Sequence, residues 1–319
     1  MATVAQIPDD NIADIQDYKS NSLWRLTIRR LFRQRSAQAG MSILLVFILL
    51  AIFAPVLSPY EPTDVLIGVE DVRKREGPCI HALGCPEDKP QHFFGIDGNV
   101  RDVYTRILYG ARISLQIGII VVTVASVTGT ILGAIAGYAG GWVDNLIMRI
   151  MDILLAFPFL LLAISIVFVL GPGLINAMLA ISIVSTPSYA RIIRSTVLSV
   201  RETDYVEASR ALGASHAQIL FSRILPNAVP PLIVLVTLGI ATAILDTAAL
   251  SFLGLGAQPP LPEWGTMLGS ERNQLFSAPH LVFIPGVAIS LTVLAFNLLG
   301  DGLRDALDPR LVNAGAGSE

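Results

Sequence analysis

Lysine is almost missing from this chain: Lys19, Lys74 and Lys89 are the three it has among 319 residues. A phosphate-cradling loop needs G-x-x-x-x-G-K-[ST], and no lysine here follows a glycine, so the chain carries no P-loop of its own. Charge as a whole is scarce at 15% of residues, against about a quarter in an ordinary soluble domain. That sets a soluble globular reading aside. A net charge of -3 leaves no basic surplus for nucleic acid. Two cysteines, Cys79 and Cys85, are too few for a disulfide-built scaffold. The histidines His216 and His280 show no partner spacing, and no metal-ligand or nucleophile constellation stands out.

What the chain does have is apolar length, with 53% hydrophobic residues. A bilayer core about 30 Å thick takes roughly 20 residues of helix to cross, at about 1.5 Å per residue. Six stretches meet that length: 39–57, 113–137, 147–170, 174–192, 229–250 and 281–299. The expected fold class is therefore all-α and polytopic, with six transmembrane helices. The first stretch reads as a permanent anchor, because some forty residues precede it and no small-x-small cleavage site follows in APVLSPYEP.

Basic residues resist export, so their placement sets orientation. Lys19, Arg25, Arg29, Arg30, Arg33 and Arg35 put the arm 1–38 inside. Six crossings then put the loop 193–228 and the tail 312–319 inside as well. Against this, Arg73, Lys74, Arg75, Lys89, Arg101, Arg106 and Arg112 fall in the loop 58–112, which the topology places outside. A loop of that length approaches the limit of the rule and reads as a small folded unit. Within it, Val100, Val103, Ile107 and Leu108 repeat at helical spacing, giving an amphipathic helix over 99–109 that ends near Gly110.

The loop between the fourth and fifth stretches, RETDYVEASRALGASHAQILFSRILPNAVPP from 201 to 231, parses as two short helices. Thr203 caps the first, with Asp204 and Glu207 in its opening turn, where the helix dipole favours carboxylates. Tyr205, Ala208 and Leu212 fall on one face. Gly213 supplies a left-handed ending. Ser215 and Gln218 make a capping box for the second helix, whose Ile219, Leu220 and Ile224 form another stripe and which Pro226 stops. By pattern alone this element is either a rigid bent knuckle or a pair of helices lying on the membrane surface.

The residues themselves resemble a family signature. Glu207, Ala208 and Ser209, then Gly213, then Ile224, Leu225 and Pro226 are similar to the EAA loop of ABC-importer permeases, with serine where alanine is usual. The resemblance implies a type I importer permease fold, with an external insertion between helices 1 and 2 and a cytoplasmic coupling helix between helices 4 and 5. It implies that Glu207, Ala208, Ser209, Leu212, Gly213 and Pro226 belong to a seat for an ATP-binding subunit, with Arg210 and Arg223 beside it. It further implies two such ATPase subunits, which bind the ATP and magnesium, a homologous second permease, a soluble receptor, membrane lipid around the spans, and a prokaryotic cytoplasmic membrane. This chain would then have no cofactor and no catalytic residue.

A second group of matches narrows the resemblance to the C-type permeases of dipeptide, oligopeptide and nickel importers. Phe94, Gly95, Asp97, Arg101, Asp102, Val103, Tyr109, Gly110, Arg112, Ser114 and Leu115 match, whereas Ile96 and Val100 stand where threonine and glycine are usual. LSFLGLGAQPP (250–260), Pro262, Trp264 and the ending LGDGLRDALDPRL (299–311) match too, so the permease core runs over 113–311 with an external loop at 251–280. Peptides, glutathione and nickel chelates remain open as cargo.

The remaining polar residues leave alternatives. Cys79 and Cys85 form a disulfide, stay as thiols, or hold a metal with His81 or His92. Asp152 either pairs with Arg149 three residues earlier or serves gating as an acid within a span. Asp246, beside Thr247, serves either gating or a packing bond to a partner. Asn176, Ser182 and Ser185 line a pore or bond to helix backbones. Trp142 and Trp264 are expected as boundary anchors. The rival function is an ion-coupled secondary transporter, which needs ionisable groups chained through the spans.

Overall fold

The computed structural model describes residues 28–307. Lys19 and Arg25 of the arm, and Arg310 and Leu311 of the closing motif, lie outside that range. Among the described residues there is no strand, and the architecture is helical. Four helices are long and apolar enough to cross a membrane, or five if one sharply bent pair counts as a single span.

Helix α1, Arg35–Leu57, has 23 residues and so reaches about 35 Å. Its Ala37, Leu44, Ala51 and Ala54 are buried, while Leu45, Ile48, Leu49 and Phe53 face outward, as lipid contact requires. Helix α2, Val103–Ala139, is one unbroken 37-residue helix. The separate amphipathic helix expected at 99–109 is therefore corrected. Asp102 caps α2 by accepting from the Thr105 amide, and Val100 stays outside the helix with φ of 58°. Gly110 does not end the helix, because its missing side chain makes room for Trp264: a Cβ there would lie 2.6 Å from the indole. Thr105 and Arg106 are buried along with Val103 and Ile107, so this segment packs inside protein instead of lying at a membrane surface.

The expected span 147–170 is broken into α3, Gly141–Ala156, and α4, Phe159–Leu170, bent by 96°. Pro158 accounts for the break, since it lacks an amide and disfavours helical geometry in the residue before it. Helix α5, Leu174–Arg201, extends nine residues past the expected end of its stretch at 192. It lies along α2, where Gly129, Gly133 and Gly137 face Tyr189, Ala190 and Val197 closely enough that an added Cβ would collide. Ser182 donates to the carbonyls of Met178 and Val121, and Asn176 to those of Leu170 and Gly171, so both bond to backbone.

Two short helices follow, α6 at Asp204–Ala211 and α7 at His216–Ile219. A π-turn at Leu220–Ile224 joins α7 to α8, Leu225–Phe252. Pro226 was expected to stop the second short helix. It instead sits in the first turn of α8, where a missing amide is tolerated, and the helical path runs on from His216 to Phe252. Helix α9, Trp264–Ser270, is capped by Glu263, which accepts from the amides of Gly265 and Thr266. Its glycines sit directly on α8: a Cβ on Gly269 would lie 2.7 Å from the Phe252 carbonyl. Helix α10, His280–Leu307, packs on α1, with Gly40 against Ala295.

The boundary-anchor reading of Trp264 is corrected. Its ring is fully buried, edge-on to Phe47 at 5.7 Å, with Nε1 donating to the Ile107 carbonyl at 3.1 Å. Trp142 is 75% exposed.

The segment 58–102 folds on its own small core of Leu66, Ile96 and Val100, flanked by Tyr60 and Val72. Cys79 and Cys85 are joined as a disulfide. Buried His92 lies between two carboxylates, with Nδ1 2.9 Å from Asp102 and Nε2 3.1 Å from Glu70. Burial pulls the imidazole pKa down, but the bonds and charges of Asp102 and Glu70 outweigh it and hold His92 above its ordinary value.

Candidate coupling site

The sequence places its densest motif at 203–226, and there the chain builds a bent knuckle. Its first bend is Gly213, at φ of 83°, the left-handed conformation glycine adopts at little cost. Ser215 then caps α7 by accepting from the Gln218 amide at 3.3 Å. Thr203 does not cap α6 with its side chain as expected. Its hydroxyl donates to the Val200 carbonyl at 2.6 Å, closing the preceding helix instead.

The inner face of the knuckle is apolar and fixed. Val206, Ile219 and Ile224 are each fully buried, clustered with Ala134 of α2, Ile193 and Val197 of α5, and Ala228 of α8. At roughly 1.5–3 kcal/mol for each fully buried aliphatic side chain, this cluster holds the element firmly to three helices. Polar bonds add to it. Arg201 donates to the carbonyls of Gly137 and Tyr138, both at 3.2 Å. The Tyr138 hydroxyl lies 2.7 Å from His216 Nδ1, which gives His216 a partner the spacing did not suggest. Asn227 ties the Arg223 carbonyl to the Tyr205 hydroxyl at 2.7 and 3.1 Å.

The outer face is the expected stripe. Tyr205, Ala208 and Leu212 point outward, with Leu212 88% exposed, and Phe221 joins them at 67%. Glu207, Arg210, Gly213, Arg223 and Pro226 are exposed, and Ser209 is half-buried. Neither Arg210 nor Arg223 has a carboxylate partner among the described residues. Two exposed cations without carboxylate partners, on an element that also exposes a leucine, suit an acidic, partly apolar surface. Val206, Tyr138 and Asn227, which fix this face, were missed in the sequence. Tyr138 has no local signal, since it reaches His216 across 78 positions.

The other singled-out residues lie elsewhere. Asp152 pairs with Arg191 of α5 at 2.6 Å, not with Arg149, because α5 brings a guanidinium across from a neighbouring helix. Arg194 forks onto Asp144 in the same way. Asp246 is half-buried on α8. Thr247 is buried, its hydroxyl donating to the Ala243 carbonyl at 2.8 Å. No group of three or more His, Cys, Asp or Glu residues among those described could hold a metal.

Comparison with known proteins agrees with this architecture. The family described as "Binding-protein-dependent transport system inner membrane component" matches residues 129–313, and "N-terminal TM domain of oligopeptide transport permease C" matches 22–76. A dipeptide transport system permease protein from Alkalihalophilus pseudofirmus is 48% identical over 95% of this chain and 96% of its own. A glutathione transport system permease protein from Pectobacterium atrosepticum is 45% identical over 93% of this chain and 94% of its own. A chain of the MetNI methionine ABC transporter, solved in inward-facing conformations, shares the fold with a TM-score of 0.53. It is 21% identical, over 64% of this chain and 96% of that one. The chain belongs to the family of binding-protein-dependent transport system inner membrane components.

Proposed function

We propose that this chain is one of two homologous permeases in an ATP-driven importer of small peptides, and that 203–226 is the seat for an ATPase subunit. The observation that carries the reading is the two-sidedness of the knuckle. A face bolted to three helices by Val206, Ile219 and Ile224 backs an exposed face bearing Leu212 and Phe221. A stiff part of this kind transmits the closure of separate ATP-binding subunits into movement of the spans, whereas a slack one would absorb it.

In this reading α1, α2, the bent α3 and α4 pair, α5, α8 and α10 make six crossings. The knuckle and both termini face the cytoplasm, and the segment 58–102 faces the receptor outside. ATP and magnesium belong to the ATPase subunits, and this chain is not itself an enzyme. Peptide cargo is favoured by the names of the relatives, a dipeptide and a glutathione permease. The ion-coupled alternative is weakened because Asp152 is exposed and neutralised by Arg191, leaving Asp246 without a chain of ionisable neighbours.

The test is co-purification and one charge reversal. Tagged chain in gentle detergent should bring down an ATPase, and Glu207→Lys should abolish uptake of a labelled dipeptide while membrane insertion is kept. Recovery of the chain alone, or uptake unchanged in the variant, would refute the assignment.

A further inference from the structure

At the end of the molecule opposite the knuckle, a buried guanidinium has no carboxylate of its own. Arg106 is 3% exposed. Its Nη1 donates to the carbonyls of Pro62 and Pro260, at 2.8 and 3.1 Å, and its Nε has no hydrogen-bond partner. The nearest carboxylate oxygen, Asp97 Oδ2, is 3.6 Å from Nε, too far for a hydrogen bond.

The carboxylates around it are already engaged. Asp97 Oδ1 accepts from the amides of Asn99 and Arg101 at 2.8 and 2.9 Å, while Oδ2 accepts from the Arg101 guanidinium at 2.8 Å. Glu271 accepts from Arg75 Nε at 2.8 Å and from the Gly98 amide at 2.9 Å. Three guanidinium groups, those of Arg75, Arg101 and Arg106, thus face two carboxylates. The surplus positive charge falls on Arg106, the most buried of them. Arg106 has only a share in Asp97, which Arg101 already holds, and a buried charge so incompletely balanced is costly to a fold.

Beside this group is a cavity of about 20 Å³, lined by Asp97, Arg101, Arg106, Met267, Ser270 and Glu271. That exceeds the roughly 10–15 Å³ a single water requires, and it is too small for a phosphate or a carboxylate with its carbon. We propose that the cavity is a site for a small inorganic anion of chloride size, held against Arg106 Nε and the Arg101 guanidinium. A water molecule would satisfy the N–H but leave the charge. A halide supplies both.

The site joins the segment 58–102, the start of α2 and the end of α9, three parts brought together from distant sequence. Its occupation fixes the outer segment to the spans. Nothing in this depends on what the permease carries.

The test uses the full chain in detergent. Sodium chloride or bromide is titrated against sodium gluconate at constant ionic strength while thermal unfolding is followed, since gluconate is too large to enter. The expected result is a saturable rise in the unfolding midpoint with either halide, and its loss in Arg106→Gln. Crystals grown in bromide should show an anomalous peak within hydrogen-bonding reach of Arg106 Nε. That measurement on the native chain decides the matter should the variant fail to fold. Halide curves that coincide with gluconate, or bromide crystals with no such peak, overturn the proposal and leave only a bridging water.

Discussion

Two substitutions on opposite faces of the knuckle should separate its attachment from its docking. Ile219 is fully buried among Ala134, Ile193 and Val197. Ile219→Ala removes three carbons from that packing, a change that costs about 2–5 kcal/mol in protein cores. The lower part of the range applies here, because Leu220 and Leu225 at the rim of the cluster are only partly buried and the site can partly refill. A loss of about 2–3 kcal/mol corresponds to roughly thirty- to 150-fold more frequent local opening. Hydrogen exchange of the amides in 204–224 reads this directly, as a speeding of exchange by that factor confined to the knuckle. In vesicles containing the complete transporter, peptide moved per ATP hydrolysed should fall. Leu212→Ala, at a side chain 88% exposed, should shift stability by no more than about 0.5 kcal/mol. Exchange should stay unchanged, while the amount of ATPase recovered with the chain drops. Equal acceleration of exchange by both substitutions, or none by Ile219→Ala, would sink the two-faced account.

Four further outcomes are expected. Gly133→Val forces a branched side chain into the Ala190 carbonyl and the Ile193 side chain, and should lower the unfolding midpoint by an amount equivalent to about 1–3 kcal/mol or more. Gly286→Ala, whose new Cβ would meet Leu268 at a comfortable 3.7 Å, should be neutral or slightly stabilising in the same assay. Trp264→Phe removes the bond to the Ile107 carbonyl and part of the contact with Phe47, and should cost about 1–3 kcal/mol in thermal unfolding. The fourth concerns His92. Its folded pKa lies above the unfolded value of about 6.5, so its contribution is complete below that pH and is lost as pH rises through the folded pKa. Protection of 58–102 from proteolysis should therefore decline across that rise in the native chain and stay flat in His92→Gln.

Much of this was legible in the sequence because it is local. Apolar length declares α1, α2, α8 and α10, and Gly213 and Ser215 declare the bend and the cap that follows. The direction of the knuckle was not. Tyr205 and Val206 are neighbours about 100° apart on a helix, and either can head an apolar face. The choice is made by Ile193 and Val197, which α5 brings to that spot. Asp152 likewise had a plausible partner in Arg149, and only the packing of α3 on α5 selects Arg191. Arg75 and Glu271 meet across 196 positions, a pairing no spacing rule reaches. The glycines at 129, 133 and 137 are a different case. Their spacing of four was visible and marks a face where another helix approaches closely, as α5 does.

The run from His216 to Phe252 is about 55 Å of continuous helical path, but its stiffness is uneven. Pro226, Pro230 and Pro231 each withhold a backbone donor, so compliance is concentrated near the knuckle. Packing decides which part of that region can bend. Ile219, Ile224 and Ala228 are locked into one cluster with the ends of α2 and α5, and Leu232 packs against it, which clamps the path across Pro230 and Pro231. Farther along, Gly118 of α2 lies so close to Ile244 that a Cβ would come within 2.7 Å, holding the distal part of α8 as well. Pro230 and Pro231 are therefore spanned by packing on both sides. A push on the knuckle moves the ends of α2 and α5 with it as one body, and reaches distal α8 both along the helix and through the contact of α2 at Gly118.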